Sequence, residues 1–203
     1  MKKTTTIWLW SALILMAACK KSDKPGETQY KLNSRSVVEW KGTMDDGFNN
    51  GSFDISENHI MVKQEKLTGG SFVFPIVSIK NFNLPDSLKE QFLHHLKSAD
   101  FFNMVLYPEA AFTITSVQPY TGGGEAPVAN ANYWIEGDFT MIGKTNPIRF
   151  PAFISVSGKR LSVEARFKID RTKWGMNYAS DPSQQFYIHK NVELYFKLSG
   201  EKR

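Results

Sequence analysis

Leu161-Ser162-Val163-Glu164-Ala165-Arg166-Phe167-Lys168-Ile169-Asp170 puts an apolar residue at every odd position and a polar one at every even position. Side chains on a strand point alternately to its two faces, so this run predicts a strand with one face buried and the other in water. The period of two recurs on both sides. Toward the C-terminus, Val192, Leu194, Phe196 and Leu198 alternate with Asn191, Glu193, Tyr195 and Lys197. Toward the N-terminus, Ile148 and Phe150 flank Arg149, and Ile135, Phe139 and Met141 alternate with Glu136, Asp138 and Thr140. Phe112 and Ile114 alternate with Thr113 and Thr115, and Phe72, Phe74 and Ile76 follow Gly69-Gly70. Ile60 with Val62, Phe53 with Ile55, and Val38 with Trp40 repeat the pattern. Eight or more such strands with turn residues between them predict an all-β antiparallel sandwich or barrel. Closure into a barrel removes the exposed edges that an open sheet must protect.

Two segments break the rhythm. Leu88, Phe92 and Leu96 stand four apart with Leu93 beside them, after the helix-starting Pro85-Asp86. They predict one amphipathic helix over 86–97, its apolar stripe turned to the strands. Pro119 to Asn132, with Gly122-Gly123-Gly124 at its centre, predicts a long hairpin loop. Both interruptions are expected to border the mouth of any cavity.

The N-terminus carries a different signal. Lys2 and Lys3 precede an apolar run from Ile7 to Ala18, closed by Leu15-Met16-Ala17-Ala18-Cys19. The run is shorter than the roughly 20 residues a membrane-spanning helix needs and fits the core of a secretory signal. Ala-Ala before the single cysteine resembles a bacterial lipobox, which implies cleavage after residue 18 and acylation of Cys19, with palmitate as one of the acyl chains. Residues 19–34 read as a polar tether and 35–203 as one domain. No aspartate directly follows Cys19, which by resemblance to lipoprotein sorting favours the outer membrane, facing the periplasm. Net charge is +5 for the chain and +3 without Lys2 and Lys3. Lys20, Lys21 and Lys24 beside the anchor suit anionic headgroups, and no basic stripe supports nucleic-acid binding.

Candidate chemistry is sparse. His94 and His95 are adjacent, so on a helix they diverge by about 100° and cannot share a metal as an i, i+4 pair does. Glu136, Asp138, Glu164 and Asp170 occupy polar strand faces, where cross-strand ion pairing is the ordinary role. No nucleophile elbow or phosphate loop is present. No metal, cofactor or catalytic residue is expected. What remains is the inward-pointing set: Phe72, Phe74, Phe112, Ile114, Ile135, Phe139, Met141, Phe150, Val163, Phe167, Ile169, Val192, Leu194 and Phe196. Eight strands enclose a space that side chains can fill or that can hold one small ligand, and these residues leave both options open.

Three segments resemble the YceI-like family of lipocalin-like, lipid-binding proteins. They are His95-Leu96-Lys97-Ser98-Ala99-Asp100-Phe101-Phe102 with Tyr107-Pro108 to Phe112, then Gly137-Asp138-Phe139-Thr140 to Pro147-Ile148, then Arg171-Thr172-Lys173-Trp174-Gly175. The resemblance spans about residues 36–198. It implies an antiparallel up-and-down eight-stranded β-barrel with a short helical insertion, exported and non-enzymatic. The interior would take a long-chain isoprenoid such as a polyprenyl lipid or quinone; an apolar pocket with few polar groups binds by shape and burial, so little discrimination by chain length is expected. Asp100 and Arg171 carry over as structural partners at the barrel ends or, second, as a grip on a polar head. The chain departs from the family at Phe92-Leu93, where an Arg-Asp pair is usual, so its headgroup preference is open to change. The competing function is a filled barrel acting as an envelope stress or assembly partner without a small-molecule ligand. The oligomeric state stays open, with a homodimer as an option.

Overall fold

The computed structural model describes residues 26–122 and 128–203. The expected leader over 1–18, Cys19 and residues 123–127 of the expected loop lie outside the described residues. The strands are β1 (Thr28–Leu32), β2 (Val37–Met44), β3 (Gly47–Phe53), β4 (Glu57–Lys63), β5 (Lys66–Pro75), β6 (Lys80–Asn81), β7 (Glu109–Pro119), β8 (Tyr133–Met141), β9 (Lys144–Ser157), β10 (Arg160–Asp170) and β11 (Ile188–Lys202). One helix, α1 (Asp86–Lys97), separates β6 from β7. Its bounds and inward stripe are those the four-residue spacing predicts.

These strands make eight staves. β1 and β2 lie end to end along β11, with Tyr30 to Leu32 opposite Lys202 to Gly200 and Val37 to Gly42 opposite Lys197 to Val192. β4 and β3 pair with β1 and β2 in turn, and β5 and β6 pair with β4 and β3. β7, β8, β9 and β10 follow as a meander back to β11. The result is a closed, antiparallel, up-and-down barrel of eight staves, as the alternation predicts. The tight joint between β8 and β9 uses Ile142 (φ 51°) and Gly143 (φ 68°), the doubly left-handed pair of a two-residue hairpin. Gly137 permits close packing on β7, because a Cβ there would come within 2.5 Å of the Phe112 ring.

The structure moves one boundary. Thr28–Leu32, read as tether, is strand β1 of the barrel, with Tyr30 and Leu32 buried. The Tyr30 hydroxyl donates to the Gly158 carbonyl at 2.6 Å. Two apolar residues among polar neighbours are too short a run to stand out as period two. The outer face behaves as expected: Arg149 pairs with Glu136 directly opposite at 3.0 Å, and Arg166 with Glu193 on the diagonal at 2.7 Å.

The interior is divided along the barrel axis. At the end where β7 runs into β8, Ile60, Leu67, Phe72, Phe112, Ile114, Ile135, Leu161, Val163 and Leu198 leave a void of only about 20 Å³, room for about one water. Phe150 stacks on Phe167 at 3.9 Å and 4°, and Phe72 on Phe112 at 6.4 Å. This half is solid core.

Candidate functional site

The other half is hollow. A cavity of about 550 Å³ opens between α1 and the segment that joins β10 to β11. Its walls come from β2 (Val38, Trp40, Gly42, Met44), the end of β8 (Phe139, Met141), the end of β10 (Ile169) and the first half of β11 (Ile188, Val192, Leu194, Phe196). α1 adds Leu88, Gln91, Phe92, His95 and Leu96, one helix face at i, i+3, i+4, i+7 and i+8 spacing. Phe101, Phe102, Met176, Tyr178 and Phe186 complete the rim. Leu88, Tyr178 and Phe186 line the cavity yet remain exposed, which marks this end as the entrance. Size and lining match a small-molecule pocket with few polar groups.

Of the predicted inward residues, Phe74, Phe139, Met141, Ile169, Val192, Leu194 and Phe196 line the cavity. Phe72, Phe112, Ile114, Ile135, Phe150 and Val163 point inward too but belong to the solid half, and Phe167 is buried against Phe150 and lines neither space. Alternation tells which face of a strand is buried and carries no information about height along the barrel. The described ends of the 119–132 loop also lie away from their expected place at the cavity mouth. They flank the closed end, where Asn132 exchanges two 2.8 Å bonds with the Ile154 backbone, and none of them lines the cavity.

Three polar devices frame the mouth. Arg171 is 2 % exposed. Its Nε donates to the His189 carbonyl (3.3 Å), Nη1 to Met176 (2.6 Å), and Nη2 to Tyr178 (3.0 Å) and Ile188 (2.8 Å). The guanidinium thus laces the segment after β10 to the start of β11 without a contacting carboxylate. Burial lowers its pKa from the ordinary arginine value, while the charge of Asp170 works the other way. Asp170 in turn accepts from Thr172 N (3.0 Å) and Oγ1 (2.6 Å), capping the 3-10 turn Arg171–Trp174. Burial alone would raise this carboxyl; the Thr172 bonds, with Lys173 and Lys190, outweigh it and hold it below the ordinary carboxylate value. Trp174 closes the turn, its Nε1 donating to the Phe139 carbonyl at 2.9 Å.

Asp100 stands outside the cavity, exposed, and pairs with His95 Nε2 at 2.9 Å. The His95 ring meets Phe101 and Tyr178 edge-on at 5.0 and 4.8 Å. Asp100 and Arg171 are thus linked through His95 and Tyr178, whose carbonyl accepts from Arg171. Sequence reading missed Trp40, Gly42, Asn49, Phe101 and Phe102 as lining residues. The clues were present: Gly42 interrupts the inward series Val38, Trp40, Met44, and Phe101-Phe102 is an apolar pair outside any strand. Among the described residues, no group of three or more His, Cys, Asp or Glu is placed to hold a metal ion.

A closed eight-stave barrel with one hollow, apolar end defines a lipocalin-like architecture. The family model described as YceI-like domain matches residues 30–199. The chain belongs to the YceI-like family. Protein YceI of Escherichia coli O157:H7 is 34 % identical over 112 residues, and the match spans about half of each protein, 52 % of this chain and 51 % of that one. A UPF0312 protein of Pseudomonas putida is 32 % identical over 192 residues, covering 91 % of this chain and 90 % of the relative. Among solved structures, BcnA of Burkholderia cenocepacia superimposes with a TM-score of 0.65 at 16 % identity, over 83 % of this chain and 99 % of that one. A polyisoprenoid binding domain from Saccharophagus degradans gives 0.60 at 13 % identity, over 86 % and 98 %.

Proposed function

We propose that this protein is a non-enzymatic carrier that holds the apolar chain of an isoprenoid or similar amphiphile in the open end of its barrel. The observation that carries this reading is the 550 Å³ cavity, walled by aliphatic and aromatic side chains and entered past exposed Leu88, Tyr178 and Phe186. Burial of a chain there is favoured by about 25 cal/mol per Å² removed from water. The polyisoprenoid binding domain from Saccharophagus degradans has the same fold, which supports that ligand class. The proposal extends to location: an exported lipoprotein, acylated on Cys19 and held at the outer membrane on its periplasmic side, taking its ligand from the membrane beside it.

The test is native mass spectrometry of the protein purified from a bacterial envelope. A bound mass in the prenyl-lipid range, together with an N-terminus beginning at acylated Cys19, is the expected result. A protein that stays ligand-free after incubation with polyprenols and quinones contradicts the carrier reading. A free, unprocessed leader contradicts the lipoprotein part alone.

A further inference from the structure

Among the described residues, the large apolar side chains that stay exposed all stand at the open end of the barrel. Beyond those of the entrance they are Phe48, Phe82, Val77, Val105 and Leu106. Apolar surface gathered in one place, unlike single scattered residues, marks an interaction site.

The barest pair sits on a turn built to present it. Val105 is 88 % exposed and Leu106 66 %, yet hydrogen bonds hold the turn on every side. Asn103, left-handed at φ 47°, accepts from Leu106 N (3.0 Å) and Tyr107 N (2.9 Å). Met104 N donates to the Lys97 carbonyl at the end of α1 (3.0 Å). The Pro108 carbonyl accepts from Ile76 N (2.8 Å), next to exposed Val77. The Tyr107 ring packs on the β8–β9 joint, where a Cβ on Gly143 would come within 2.6 Å of it. The turn is braced against three elements and holds two aliphatic side chains in water, which gains nothing for the free protein.

Charge is distributed unevenly around this rim. Lys97 at the end of α1 and Lys144 at the β8–β9 joint flank the tip, and neither is ion-paired among the described residues. Nearby carboxylates are Glu109, at the start of β7, and Asp100, which His95 engages. Asp45 and Asp46 lie at the β2–β3 joint, across the barrel by stave order.

We propose that the open end docks on a lipid bilayer, with Val77, Val105 and Leu106 among the acyl chains and Lys97 and Lys144 among anionic headgroups. An apolar tip with cations behind it has the chemistry of an interfacial anchor. The choice of a bilayer rests on the chain-binding reading above. The cavity opens at this same end, and a chain that avoids water passes from bilayer to cavity without crossing it only where the two meet.

The experiment uses the chain from Lys20 onward. It carries every strand of the closed barrel and lacks Cys19, so an acyl anchor cannot be mistaken for docking. The unaltered protein should float with vesicles of phosphatidylcholine and phosphatidylglycerol. Val105→Asp combined with Leu106→Asp should weaken vesicle binding about tenfold or more at an unchanged melting temperature, since both side chains already face water. Lys97→Gln with Lys144→Gln should weaken it about tenfold on these vesicles and leave binding to phosphatidylcholine alone unaltered. No flotation of the unaltered protein, or equal flotation of the Val105→Asp, Leu106→Asp variant, overturns the docking surface; geranylgeraniol bound in native mass spectrometry then still upholds the carrier reading. A dimer that the same double substitution abolishes would assign the tip to a second copy and overturn it too. Flotation as expected with no geranylgeraniol bound removes the carrier reading and keeps the docking surface.

Discussion

Arg171 spends its guanidinium on four carbonyls from two chain segments, and lysine cannot reproduce that fork with a single ammonium. Arg171→Ala strands the buried carbonyls and should lower stability by about 3 kcal/mol or more; Arg171→Lys recovers only part of it. Chemical denaturation of both variants checks this, and near-equal stability of arginine and alanine forms would refute it. Asp170 gives a pH prediction. Its folded carboxyl is held below the ordinary value, so its contribution is complete above the unfolded carboxylate pKa and is lost as pH falls through the lower folded one. Asp170→Ala should therefore cost about 1 kcal/mol near neutrality, with the gap to the unaltered protein closing in strong acid. The Arg-x-x-Trp-Gly segment was legible as a family resemblance. Its partners were not, because backbone carbonyls 5 to 18 residues away leave no mark in side-chain pattern.

At the scale of elements, the same chemistry has opposite worth at the two ends of the barrel. Phe150 stacks in the solid half, so Phe150→Ala opens a void among rigid neighbours and should cost about 3–5 kcal/mol. Phe92 on α1 faces the cavity and stacks on Trp40 at 6.5 Å. Phe92→Ala should cost well under half as much and enlarge the ligand space instead. Comparing their melting transitions tests the division into filled and hollow halves; equal losses would erase it. α1 and the long strands were readable because each carries its own period over many residues. β1, with five residues, and the pairing of broken strands β1–β2 and β3–β4 across the barrel were not, since both depend on β11 lying alongside.

For the whole molecule, closure fixes a finite interior. At roughly 30 Å³ per small group, the 550 Å³ cavity takes a chain of about 18 carbons. Affinity in a prenol series should rise up to about C20, by up to about 0.8 kcal/mol per buried methylene, and then level off as further units remain outside the entrance. The sequence made the barrel legible, and left filled and hollow interiors equally open, because the answer lies in how high each inward side chain sits and where α1 folds over the end. Gly42 offers the most direct test of the central claim. A Cβ there meets no atom within 4 Å and Gly42 lines the cavity, so Gly42→Leu should plug the site with the strand pairing kept. Native mass spectrometry with geranylgeraniol should show one bound molecule on the unaltered protein and none on Gly42→Leu, at an unchanged melting temperature. Equal occupancy of both proteins, or none on either, would contradict the account.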